Sequence, residues 1–290
     1  MSMQASHFSV VGLGLSVALA VLAGAATWVA RRPQLRGWPD LAVIGRLRRW
    51  GSANFGELMS TARDRLGRDW SAAVALMAGL VAVMVFAVGF TALLDDALEG
   101  DGLARIDEPA ARWLATHREG WLNASLTLIT HLGDAPTQAL WLTLVCAVAA
   151  WRARSWLPVV LGLVGGVGVA VIIVTAKTLV GRQRPDPPFA LVNSHGFSFP
   201  SGHAAGAAAV GLLSAWMLCR WVVRPWAGQV AVWALTLAVV GLIGFSRLYL
   251  GVHFVTDVLA GWLLGAAWAG AVVNVTAWWY RPPPIRPLRN

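Results

Sequence analysis

The stretch SWLPVVLGLVGGVGVAVIIVTA, residues 155–176, carries no charge over 22 positions and runs directly into Lys177. About 20 consecutive apolar residues are what an α-helix needs to cross the hydrocarbon core of a bilayer, so this segment reads as a membrane span. Four more stretches share its character: 8–30, 70–94, 225–246 and 258–280 are likewise free of charge. Two further spans are shorter or interrupted, one over roughly 122–151, which contains His131 and Asp134, and one over 202–219. The 290-residue chain is 57% hydrophobic and 13% charged, with a mean hydropathy of +0.62. A soluble domain carries about 25% charge. The expected fold is therefore all-α, a polytopic membrane bundle of about seven spans. One N-terminal span and a basic segment occupy 1–69, a six-helix domain occupies 70–280, and a short tail occupies 281–290.

Basic residues set the orientation, because Lys and Arg in short loops stay on the cytoplasmic side. With the N-terminus outside, 16 of the 23 basic residues fall inside. Nine are arginines within 31–69, and the others are Arg152, Arg154, Arg220, Arg224, Arg281, Arg286 and Arg289. Outside lie Arg105, Arg112 and Arg118 as ordinary loop charge, together with Lys177, Arg182, Arg184 and Arg247. The net charge of +9 is on this reading a topology signal facing an anionic leaflet, and no nucleic-acid partner is expected. Met1 to His7 hold no Lys or Arg, while Arg31 and Arg32 follow the first span, so a retained helix is expected rather than a cleaved signal peptide. Cys146 and Cys219 lie in apolar spans and read as packed small hydrophobes. Many of the 17 tryptophans fall near span ends, as in an aromatic belt. The preference for Arg over Lys, with abundant Ala, Gly and Val, suggests a GC-rich bacterial genome, so the membrane is expected to be a bacterial cytoplasmic membrane.

Three segments between the spans have their own patterns. In 31–69, Leu41, Ile44, Leu47 and Trp50 fall at helical spacing, which fits a polybasic surface helix or a solvated linker equally well. In the outside segment 95–121, Ile106, Ala110, Trp113, Leu114, His117 and Trp121 recur at helical intervals. That predicts an interfacial amphipathic helix, which either roofs a path for lipid or simply connects two spans. In 178–200, Pro185, Pro187, Pro188 and Pro200 with Gly181 and Gly196 break helix.

The chemistry lies in three blocks: Lys177-x6-Arg184-Pro185, Phe199-Pro200-Ser201-Gly202-His203, and Ser246-Arg247-x5-His253-x3-Asp257. The topology puts all three at outside helix ends, where they converge. A phosphate ester carries up to two negative charges, and its transfer is catalysed mostly by positioning and electrostatics. Lys177 offers a point charge, and Arg184 and Arg247 offer forked donors suited to bidentate phosphate contacts. Ser201 and Gly202 stand at a helix start, where free N–H groups and the dipole favour an anion. His253 and Asp257 are four apart on one helix face, so the carboxylate can hold one ring nitrogen and leave the other aimed at phosphorus. His203, from another helix, can protonate the departing alkoxide. The three cations are expected to depress both histidines and keep His253 neutral, and bound phosphate is expected to favour the protonated form of His203. His7, His117, His131 and His195 read as surface or packing residues.

Taken together, these blocks resemble the signature of the type 2 phosphatidic acid phosphatases, a superfamily that includes the vanadium-dependent haloperoxidases and bacterial class A acid phosphatases. The resemblance implies a helical bundle and a metal-independent phosphomonoesterase or diphosphatase that needs no cofactor and works through a phosphohistidine. It implies His253 as nucleophile, Asp257 as its partner, His203 as acid, and Lys177, Arg184, Ser201, Gly202 and Arg247 as phosphate ligands. The motifs occupy 177–257, and the membrane pattern extends over roughly 70–277; the prefix 1–69 departs from the common six-helix plan. The expected substrates are lipid phosphates of the phosphatidic acid, phosphatidylglycerophosphate or undecaprenyl diphosphate type, met at the extracytoplasmic face. The alternatives are a lipid phosphotransferase using the same intermediate, a vanadate-dependent haloperoxidase, and a lipid carrier without activity.

Overall fold

A computed structural model describes residues 10–36, 70–185, 190–192 and 195–279. Among them are nine α-helices: α1 Val10–Ala30, α2 Trp70–Glu99, α3 Asp107–Thr116, α4 Gly120–Thr130, α5 Ala135–Ala153, α6 Leu157–Val180, α7 Gly202–Met217, α8 Trp226–Tyr249 and α9 Val255–Trp279. Six helices are long and apolar enough to cross a membrane. The pair α4 and α5 passes the same test together although bent by 57°, which brings the spans to seven. The expected surface helix in 41–50 and the tail 281–290 lie outside the described residues.

The third span is interrupted, as its polar residues suggested. A continuous helix over 122–151 would carry His131 and Asp134 toward the apolar interior, where ionisable groups are costly. The chain instead breaks into a 3-10 turn at His131–Gly133, and α5 starts afresh behind Asp134. Its 19 residues give α5 a length of about 28 Å, close to the thickness of the hydrocarbon core. Both polar side chains thereby stay at the end of the bundle where the motif residues gather.

At the centre stands α7, whose opening run Ala204 to Ala209 is buried almost throughout. Small side chains let helix backbones approach closely in a membrane. Its closest neighbour is α9: a Cβ on Gly265 would lie 2.2 Å from the Ala205 carbonyl oxygen, and one on Gly261 would lie 2.7 Å from that of Ser201. This crossing sets the start of α7, with His203, beside the start of α9, with Asp257. On the far side of α9 packs α2. The first helix lies along α8: Trp226 Nε1 donates to the Val29 carbonyl at 3.1 Å, and Val11 packs with Leu114, Leu122, Leu126 and Tyr249.

The helix expected within 95–121 is present as α3, and only part of its apolar stripe faces the bundle. The buried positions are Asp107, Ala111 and Leu114, whereas Ile106 and Trp113 remain 47% and 44% exposed. The reason is electrostatic: Asp107 is drawn in by donors from the loop after α6 and from the start of α9.

Candidate active site

His253 sits just before α9 and is buried, its side chain only 2% exposed. One turn on, the fully buried Asp257 presents Oδ2 to His253 Nδ1 at 3.3 Å. The other ring nitrogen, Nε2, lies 3.2 Å from a guanidinium nitrogen of Arg184. Arg184 can only donate, so the pairing assigns Nε2 as acceptor and Nδ1 as the N–H that faces the carboxylate. Burial pushes the His253 pKa down to about 3, against the Asp257 bond that favours the charged ring, while Arg184 and Arg247 lower it further. Neutral His253 is the expected form, but burial contributes more to it than the cations do.

The cations come from three elements. Gly181, at φ +66°, ends α6 in the left-handed conformation that glycine adopts without strain, and turns the chain into the loop carrying Arg182 and Arg184. Arg184 is held by the carbonyls of Gly196 (2.9 Å), Val252 (2.7 Å) and His195 (3.2 Å). Lys177, in the last turn of α6, donates to the carbonyls of Phe197 at 2.5 Å and Ser198 at 3.4 Å. Arg247, in the last turn of α8, is buried and donates to Thr130 Oγ1 at 2.8 Å. Ser201 caps α7: its hydroxyl accepts from the Ala204 N–H at 3.5 Å, and its own N–H donates to the Asp257 carbonyl at 2.9 Å. The first-turn N–H groups of Gly202 and His203 have no partner within the helix. A Cβ on Gly202 would meet Ile173 and Lys177 only at 3.5 and 3.7 Å, so packing alone does not require glycine there.

His203 directs Nε2 to Asp134 Oδ1 at 2.9 Å. Beside it opens a cavity of about 1060 Å3 between α5, α6 and α7. Gly202, His203, Gly133 and Gln138 line its mouth, and Leu142, Gly166 and Ala170 its middle. Ala150 and Trp156 line the far end. From Ala135 to Ala150 it follows α5 for about 22 Å, most of the thickness of a bilayer core. Its walls are almost wholly apolar.

Comparison with known proteins places this arrangement. The PAP2 superfamily profile matches residues 155–281. Phosphatidylglycerophosphatase B of Bacillus subtilis is 34% identical over 177 residues, which cover 61% of this chain and 86% of that protein. The chain belongs to the PAP2 superfamily. A decaprenylphosphoryl-5-phosphoribose phosphatase of Mycobacterium tuberculosis is 35% identical over 150 residues, 50% of this chain and 75% of that protein. A crystal structure of a transmembrane PAP2-type phosphatidylglycerolphosphate phosphatase from Bacillus subtilis aligns with a TM-score of 0.64 at 31% identity, covering 69% of this chain and 98% of that one. The apolar helices and these relatives make the protein a multi-pass membrane member of a phosphatase family.

Around the residues of the three blocks stands a layer that the sequence pattern did not assign. Arg182 donates to Asp257 Oδ1 and Thr256 Oγ1 at 2.8 Å each, and its other terminal nitrogen donates to Asp107 Oδ2, also at 2.8 Å. Asp107 further accepts from Thr256, through the backbone N–H at 3.0 Å and the hydroxyl at 2.6 Å. Ser198 donates its hydroxyl to Asp257 Oδ2, and the Phe254 N–H donates to the same oxygen at 2.8 Å. Asp257 is thereby fixed on both oxygens before it meets His253. The one signal available beforehand was the presence of Arg182 in the motif region. Nothing in the spacing pointed to Asp107, 150 positions before Asp257.

Proposed function

We propose that the protein is a lipid phosphate phosphatase that forms a phosphohistidine on His253. The observation that carries this reading is the long apolar cavity that begins at Gly202 and His203. A phosphate held between Arg184, Lys177, Arg247 and the start of α7 would have its ester oxygen near the mouth and its hydrocarbon chain along the helices. A soluble phosphate ester would have no use for such a space.

On this reading, Nε2 of His253 attacks phosphorus and the bond to the lipid oxygen breaks. The leaving alkoxide takes a proton from His203. Water then attacks the phosphohistidine, gives a proton back to His203, and releases phosphate with His253 neutral again. The cationic side chains carry the charge of the equatorial oxygens, so the reading includes independence from metal. The catalytic unit is the six-helix domain from residue 70, with 1–69 as an added prefix. The placement of Arg152, Arg154, Arg220 and Arg224 in the turns opposite the site, with the arginine-rich sequence of 31–69, supports an extracytoplasmic active site in a bacterial cytoplasmic membrane.

The relatives suggest the substrate class: one is a phosphatidylglycerophosphatase, another a decaprenylphosphoryl-5-phosphoribose phosphatase, and a third, from Sulfolobus acidocaldarius, an undecaprenyl-diphosphatase. Phosphatidic acid, phosphatidylglycerophosphate and polyprenyl diphosphates are the candidates to try first. The test is phosphate release from these lipids in mixed micelles, with and without chelator. Turnover should survive chelator and vanish in His253→Ala; the opposite result in either arm defeats the mechanism. Ala170→Trp, which fills the cavity on a face with room for it, should lower turnover of long-chain lipids by about tenfold and spare short-chain esters. Equal rates on both with the variant would remove the tail from the cavity.

A further inference from the structure

Asp134 occupies the N-cap position of α5 but does not cap it. The backbone is in the extended conformation usual for an N-cap (φ −68°, ψ 142°), yet the side chain accepts no hydrogen bond from the first turn. An Asp there would ordinarily accept from the N–H two or three residues on. Both carboxylate oxygens are used elsewhere: Oδ1 faces His203 Nε2 at 2.9 Å, and Oδ2 faces His131 Nδ1 at 2.8 Å. The three side chains form a graded row, 62% exposed at His131, 41% at Asp134 and 24% at His203. The break between α4 and α5 that interrupts the third span is what makes the row possible.

We propose that Asp134 is the positioning residue for the general acid, fixing the orientation of the His203 ring and favouring its protonated form, with His131 clamping the second carboxylate oxygen. This rests on the phosphatase reading above. Arg247 on α8 and Arg184 on the loop after α6 are the cations that act on His203. Asp134 is the carboxylate that meets the ring directly. The proton balance requires no other donor: His203 gives its proton to the alkoxide as the P–O bond breaks and regains one from the attacking water, and Asp134 remains ionised throughout.

A general acid matters in proportion to how poor the leaving group is. An alkyl phosphate leaves as a strongly basic alkoxide, whereas an aryl phosphate leaves as a stabilised phenolate. The experiment measures kcat/KM on lysophosphatidic acid and on 4-nitrophenyl phosphate for the full-length wild type and for Asp134→Asn and His131→Gln. Asp134→Asn should lower the alkyl rate by about a hundredfold, the lower end of what general acid catalysis supplies, and leave the aryl rate within a few-fold. His131→Gln, on an exposed ring, should give a smaller loss with the same selectivity. A role in folding alone would lower both rates together, so equal losses, or none, overturn the assignment. If Asp134→Asn cannot be recovered folded, His131→Gln decides: a selective loss supports the proposal and its absence overturns it. A wild type inactive on both substrates would instead sink the phosphatase reading and this inference with it.

Discussion

Arg182 is the place to test whether the layer behind the motif residues does what its geometry implies. Its guanidinium joins two buried carboxylates, Asp107 at 2% exposure and Asp257 at 0%, with contacts of 2.8 Å to each and a third to Thr256. The aromatic face of Phe254 lies 4.6 Å from it. Removing one partner of a buried ion pair costs about 3–5 kcal/mol, because the remaining charge is left in a poorly solvating place. Arg182→Ala should therefore destabilise the protein by about that amount. Arg182→Lys should fall between, since one ammonium keeps the charge but cannot reach both carboxylates in the fork geometry. Neutralising one orphan relieves the other variant, so Arg182→Ala with Asp107→Asn should be less destabilised than the sum of the two single changes. Activity should follow position: Asp257 keeps Ser198 and the Phe254 N–H on Oδ2 but loses its anchor on Oδ1. A shift of about 1 Å in such a group costs about a hundredfold in rate, expected here in kcat with little change in KM. Unfolding in detergent followed by tryptophan fluorescence reads the first effect, and phosphate-release kinetics read the second. Unchanged stability and unchanged kcat in Arg182→Ala, or strict additivity in the double variant, would refute the reasoning.

Two further outcomes follow from the packing and the titration. Gly265→Ala sets a methyl 2.2 Å from the Ala205 carbonyl oxygen and must push α9 off α7, so it should cost about 1–3 kcal/mol and reduce turnover; Gly241→Ala, which meets nothing within 4 Å, should leave both intact. His253, with its pKa pushed down to about 3 by burial, resists protonation in the folded protein, while its unfolded counterpart accepts a proton near pH 6.5. Between those values the unfolded chain binds more protons, so stability present above about pH 6.5 should be lost as the pH falls toward 3. Thermal midpoints measured across that window should slope less steeply in His253→Gln than in the wild type; identical slopes would show that the buried ring is not the source.

What could be read in advance divides along a physical line. The spans were visible because charge is scarce in a bilayer, and the motif residues stood out for the same reason: Lys177, Arg247 and Asp257 are ionisable groups at the edges of apolar runs. Their convergence followed from topology alone, since alternate helix ends share a face. The inward side of α3 did not follow. In a soluble protein the apolar stripe of a helix faces the core, but at a membrane surface lipid is an equally good partner, so Ile106 and Trp113 can face outward while Asp107 turns in. Periodicity shows that a helix is two-sided without showing which side the protein keeps. The same ambiguity hid Asp134. The interruption of the span was visible in the sequence; that it carries the carboxylate to His203 was not. A polar residue that breaks an otherwise apolar run costs free energy unless it has a partner, and at such a break the partner is best sought among the ionisable groups at the same end of the bundle. For Asp134 that rule leads to His203.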